Sequence, residues 1–156
     1  MATRTTSMPL SLRPSLFAAL SREERAFFVA SWLLAPAATA GLKVAGFRRM
    51  TDLLRRVPAR KSVLFADVGV ERAESLVRRA FRWSIARWSV RDGGCLPQSM
   101  VQYAVHTLGG DEVRFVVGVQ RGEPAPVGFE AHAWIEDARR TRPDRKHEAI
   151  FELTAT

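Results

Sequence analysis

Around Gly93 and Gly94 the hydrophobic pattern of this chain changes, and the change limits what it can fold into more than any other feature. Before it, apolar residues recur at helical spacing; after it come one helical segment and three short strand-like runs. In "LSREERAFFVASWLL" Ser21 stands as a helix cap, Glu24 three positions on completes a capping box, and Leu20 can pack back on the first turn. Pro36 is expected to end that helix. The segment "GLKVAGFRRMTDLLRRV" puts Leu42, Val44, Phe47, Met50, Leu53 and Leu54 largely on one side with arginines opposite, and Pro58 stops it. A third helix is expected over Val70 to Trp88, with Leu76, Ala80, Phe81 and Ile85 as its buried stripe.

Beyond the glycines, "CLPQSMVQYAVHTLGG" reads as a helix opened near Cys95, with Pro97 in the first turn where its missing N–H costs nothing, and closed by Gly109 and Gly110. "EVRFVVGVQR" is rich in β-branched residues and reads as a strand, followed by the loop "EPAPVG". "FEAHAWIE" alternates, with Phe129, Ala131, Ala133 and Ile135 on one face and Glu130, His132, Trp134 and Glu136 on the other. A third strand, "EAIFEL", follows the polar run "DARRTRPDRKH". The class is therefore α+β, divided as a flexible N-terminus over 1–20, with 1–14 frayed, a helical region over 21–90 and a core over 91–156.

With 156 residues and 47% hydrophobic content the chain can bury one core. A lone cysteine excludes an internal disulfide, and no signal-peptide pattern opens the sequence, so a reducing, cytoplasmic setting is expected. The longest uncharged run, Ala26 to Leu42, is 17 residues, contains Pro36 and falls short of a bilayer span; a buried helix pair accounts for it. A net charge of +8 invites a nucleic-acid reading, but 21 of the 24 basic residues are arginines scattered from Arg4 to Arg145 rather than one stripe with interleaved aromatics. No nucleic-acid partner is expected; a solvated helical face, or a partner with an acidic surface, fits this distribution.

A cysteine in the first turn of a helix lies beside backbone N–H groups that the helix does not use and at the positive end of its dipole. Both favour thiolate over thiol, and the same N–H groups can stabilise an oxyanion on an attacked carbonyl. Gly93 and Gly94 keep the approach to Cys95 open. A base must complete such a site. His106 lies about 16 Å along the helix from Cys95 and is too far. His132, between Ala131 and Ala133 on a strand, is the candidate; His147 is the remaining histidine. The orienting carboxylate is expected from Asp144, twelve residues on, with Glu130, Glu136 and Asp137 as competitors. Trp134 either shields the histidine from water or is a core aromatic. Against this stands the plain alternative of an inert buried thiol and a hydrogen-bonded strand histidine. Neither paired zinc-ligand spacing nor a phosphate loop is present, so no metal or cofactor is expected.

The order of a cysteine opening a helix, a strand ending "VVGV" and then "AHAW" resembles the papain-related transglutaminase-like fold, a cysteine-bearing helix packed on a small antiparallel sheet that carries the histidine and the acid. More narrowly, "GGCLPQSM", "VRFVVGVQRG", "FEAHAWIE", Asp144 and the helical "SWLLAPAATAGLKVAGFRRMTDLLRR" resemble the B2-type leader peptidases of lasso peptide biosynthesis, the family of the microcin J25 processing protein. That resemblance implies Cys95 as nucleophile, His132 as base and then acid, and Asp144 as the group that orients the imidazole. It implies hydrolysis between the leader and core of a precursor peptide. The short stretch before Ser21 leaves no room for a winged-helix recognition module, so leader recognition is expected from a separate protein docking on the arginine-bearing helices, with an asparagine-synthetase-like cyclase acting afterwards. Acyl transfer on the same fold, and a non-catalytic basic adaptor holding an acidic peptide, are the alternatives.

Overall fold

The computed structural model describes residues 17–59, 65, 68–86, 94–120, 131–138 and 147–154. Residues 1–14, Trp88, Gly93, Phe129, Glu130, the "EPAPVG" loop and positions 139–146 of the polar run lie outside them.

The first helix, α1 (Arg22–Arg55), opens with the capping box its sequence calls for. Ser21 Oγ accepts from the Glu24 N–H at 3.1 Å, and Glu24 Oε2 accepts from the Ser21 N–H at 2.9 Å. Leu20 is buried beneath the turn. Pro36 does not end the helix. Ala35 and Ala38 beside it are buried in the core, and burial along this face outweighs the roughly 3 kcal/mol that an interior proline costs. The break comes instead at Gly46, whose φ of 76° and ψ of 172° are open to glycine and strained for other residues. The two arms fold toward each other there: a β-carbon on Gly41 would sit 2.5 Å from Met50 Sδ. Residues nine apart on an unbroken helix would be about 13 Å apart. The expected single apolar side does not form in full, because at about 100° per residue Val44 stands about 160° away from Leu42 on the first arm and Leu53 about 120° away from Phe47 on the second. Leu54 is buried and Leu42, Phe47 and Met50 pack on the core, while Val44 and Leu53 face solvent. By length and composition alone α1 would suit a bilayer span. In this fold Phe27, Phe28, Ser31, Ala35 and Ala38 are buried, while Val29, Trp32 and Leu33 of the same stretch are exposed.

Helix α2 (Val70–Trp83) buries Ala73, Leu76, Val77, Ala80 and Phe81 at helical spacing. It stops sooner than the apolar period suggests, because Ser84 turns extended, donating its hydroxyl to the Phe81 carbonyl at 3.1 Å and accepting from the Ala86 N–H at 3.0 Å. Ile85, expected in the stripe, is therefore 82% exposed.

Helix α3 (Cys95–Gly109) matches its sequence limits, from an N-cap at Gly94 to a left-handed C-cap at Gly110 with φ 82° and ψ 17°. Pro97 and every residue from Ser99 to Thr107 are buried, because α3 has helices on one side and the sheet on the other. Gln102 Nε2 donates to the Val70 carbonyl at 2.9 Å, which ties it to α2, and Ser99 Oγ donates to the Ala133 carbonyl at 2.8 Å, which ties it to the sheet. Burial pushes the Tyr103 phenol above its ordinary value.

The sheet is antiparallel with spatial order β2, β1, β3, where β1 is Val113–Gln120, β2 is Ala131–Asp137 and β3 is His147–Thr154. Ala133 and Ile135 are buried as the alternation predicts, and His132 on the other face is exposed. Phe115 of β1 and Leu153 of β3 join them against Met100 and Tyr103 of α3. A second apolar cluster joins α1, α2 and α3 through Phe27, Leu76, Phe81, Val101 and Val105.

Candidate active site

Cys95 is the first residue of α3 and is half-buried. The first bond of the helix ladder runs from the Gln98 N–H to the Gly94 carbonyl at 3.2 Å, so the N–H groups of Cys95 and Leu96 precede it and Pro97 brings none. Cys95 and His132 line one cleft of about 110 Å³, bounded by Val77 and Arg78 of α2, by Gln98, Ser99 and Gln102 of α3, and by Ala133 and Trp134 of β2. Gln98, Ser99 and Gln102 were missed in the sequence; the signal that marks them is the spacing 95, 98, 99 and 102, which falls on one helical face.

His132 does not stand alone. Its imidazole stacks on Trp134 with ring centroids 5.9 Å apart and 16° between planes, and the His147 ring from β3 lies 5.2 Å away. These two strands are separated by β1, and Gly118 of β1, paired with His132, allows the rings to meet over it. A β-carbon on Gly118 would sit 2.8 Å from both Trp134 Cη2 and the Glu148 carbonyl oxygen. No local signal marks His147 for this place, because its position follows from the register of β3 on β1, where it pairs with Gln120.

Asp144 lies outside the described residues, as does Glu130. Of the other candidate carboxylates, Glu136 accepts from Trp134 Nε1 at 2.8 Å and pairs with Arg114 Nη2 at 2.7 Å. Asp137 lines a different cavity, of about 330 Å³, together with His106, Asp111 and Glu112. His106 is buried there with Nδ1 2.7 Å from Asp111 Oδ2, apart from the cleft of Cys95 as its helical position requires. Among the described residues no group of three or more histidine, cysteine, aspartate or glutamate side chains is arranged to hold a metal ion.

A helix that begins with a cysteine, packed against an antiparallel sheet whose edge strand brings a histidine to line the same cleft, pairs the two residue types that thiol chemistry on a carbonyl uses. No curated protein and no solved structure matches the chain. The family model for the transglutaminase-like superfamily matches residues 32–152, which takes in α1 from Trp32, both other helices and nearly the whole sheet. The chain belongs to the transglutaminase-like superfamily, whose members are typically cysteine-dependent enzymes.

Proposed function

We propose that the protein is a cysteine peptidase that removes the leader from a lasso peptide precursor, working in the cytoplasm with a separate leader-recognition protein and ahead of an asparagine-synthetase-like cyclase. The observation that carries the thiol chemistry is the shared cleft of Cys95 and His132. The narrower choice of substrate rests on the motifs "GGCLPQSM" and "FEAHAWIE". In this reading His132 takes the proton of the Cys95 thiol, and the sulfur attacks the carbonyl at the leader–core junction. The carbon–nitrogen bond then breaks, and His132 returns the proton to the departing core amine. The leader is left as a thioester, which water hydrolyses to a free carboxylate and the original thiol. The first-turn N–H groups of α3 stabilise the tetrahedral oxyanion. Asp144 holds the imidazole in its productive tautomer.

The test is incubation of a lasso precursor peptide with the protein, with and without a B1-type leader-recognition protein, read by mass spectrometry. Cys95→Ala and His132→Ala are each expected to lower leader removal by on the order of 10³-fold or more. Asp144→Asn is expected to lower it by a smaller factor. Cleavage that survives Cys95→Ala would overturn the reading. Products separate the alternatives: two free peptides mean hydrolysis and an amine adduct means acyl transfer. Peptide binding that weakens steeply with salt, is indifferent to Cys95 and yields no new product means a basic adaptor.

A further inference from the structure

The sheet face that carries His132 holds a chain of contacts that the proposed reaction does not use. Arg114 of β1 donates from Nη2 to Glu136 Oε2 on β2 at 2.7 Å and from Nη1 to Glu152 on β3 at 3.4 Å, so it bridges all three strands. The other oxygen of Glu136 accepts the Trp134 indole N–H at 2.8 Å. The Glu136 side chain is only 10% exposed, and a carboxylate at that depth is stable because both oxygens are engaged.

Glu136 and Trp134 point to the same face of β2, two residues apart, and the hydrogen bond between them selects one orientation of the indole. Arg114 fixes the carboxylate from the neighbouring strand, so the orientation is set by the sheet and not by Trp134 alone. In that orientation the indole lies over Gly118 and stacks on His132. Trp134 also lines the cleft of Cys95, so the residue that Glu136 holds is part of the wall of the site.

We propose that Glu136, clamped by Arg114, is a positioning residue that locks the Trp134 indole and through it the His132 imidazole at the cleft lined by Cys95. The proposal rests on the Cys95–His132 reading above, and its test separates the two. Because Cys95 is the only thiol in the chain, alkylation by iodoacetamide reports on it alone. The measured quantity is the ratio of alkylation rates at pH 6 and pH 9, with thermal unfolding followed in parallel.

His132→Ala should lower that ratio. Glu136→Ala should lower it in the same direction by on the order of tenfold, short of the roughly 10²-fold that a 1 Å misplacement of a catalytic group can cost. Glu136→Gln keeps an acceptor for the indole and should hold the ratio within about threefold of the wild type, whereas Trp134→Phe, which keeps a ring and removes the N–H, should lower it. In a His132→Ala background Glu136→Ala should have no further effect. If His132→Ala lowers the ratio and Glu136→Ala in a folded protein does not, the positioning role is wrong and the cysteine–histidine reading stands. If Glu136→Ala does not fold, Trp134→Phe decides the same point. A ratio indifferent to His132→Ala overturns both. An effect of Glu136→Ala that persists without His132 overturns the positioning role, because it then acts by another route.

Discussion

At Gly118 the central strand carries no side chain, and rings from both neighbouring strands use the space. Trp134 crosses over it, and His132 and His147 come within 5.2 Å across a strand that would otherwise hold them apart. One of the two atoms that a β-carbon there would meet at 2.8 Å is the Glu148 carbonyl oxygen, which is backbone and cannot swing aside. Gly118→Ala is therefore expected to lower stability by about 1–3 kcal/mol, measured by urea denaturation, and to displace the indole, seen as a shift in tryptophan fluorescence. The glycine was visible in "VVGVQ", as was the strand around it. That it faces His132 was not, because a facing residue is a property of strand register. The same limit applies to Glu136, which the sequence placed among four possible acids and the fold ties to Arg114 and Trp134.

Among the elements, α1 shows how local signals and packing divide the decision. Its start is a local matter, because the capping box satisfies two orphan N–H groups within four residues; Ser21→Ala should cost about 1 kcal/mol by chemical denaturation. Its interior is not. A proline and a glycine ten residues apart both invite a break, and burial of Ala35 and Ala38 beside the proline carries the helix past it to Gly46. Two substitutions of opposite sign check this. Pro36→Ala should stabilise the protein by roughly 1–2 kcal/mol, because it restores a helical N–H and removes a clash with the preceding turn. Gly46→Ala should destabilise it by about 1–2 kcal/mol, because φ of 76° is strained for any residue with a β-carbon. If both changes stabilise, the break has been put in the wrong place. By contrast α3 was legible from end to end, since the proline in its first turn and the paired glycines at its close act within one turn of the residues they limit.

For the molecule as a whole, the helices are joined by apolar burial and by the ion pair of Glu24 on α1 with Arg72 on α2, whose Nε and Oε1 are 2.5 Å apart. The Arg72 guanidinium, and next to it the Ser21 N–H, hold the Glu24 carboxyl below its ordinary value of 4.5. A carboxyl whose value is lower in the folded state stabilises the fold above the unfolded value, and this contribution is lost as pH falls through the folded one. Arg72 is half exposed, so the pair contributes about 1 kcal/mol or less. Denaturation midpoints should therefore fall as pH drops below 4.5, and more gently in Glu24→Gln, which keeps the capping box and gives up the charge. An identical acid slope in both proteins would show that the pair contributes nothing. The amino-acid order alone determined where α1 starts, where the three strands lie and that a cysteine opens α3, because periodicity, caps and turn residues act between near neighbours at up to about 1 kcal/mol each. Only the tertiary structure decided the β2, β1, β3 order, the break at Gly46 over Pro36, the approach of His147 to His132 and the clamp of Glu136, since each depends on surfaces brought together from distant parts of the chain, and their burial outweighs local preference.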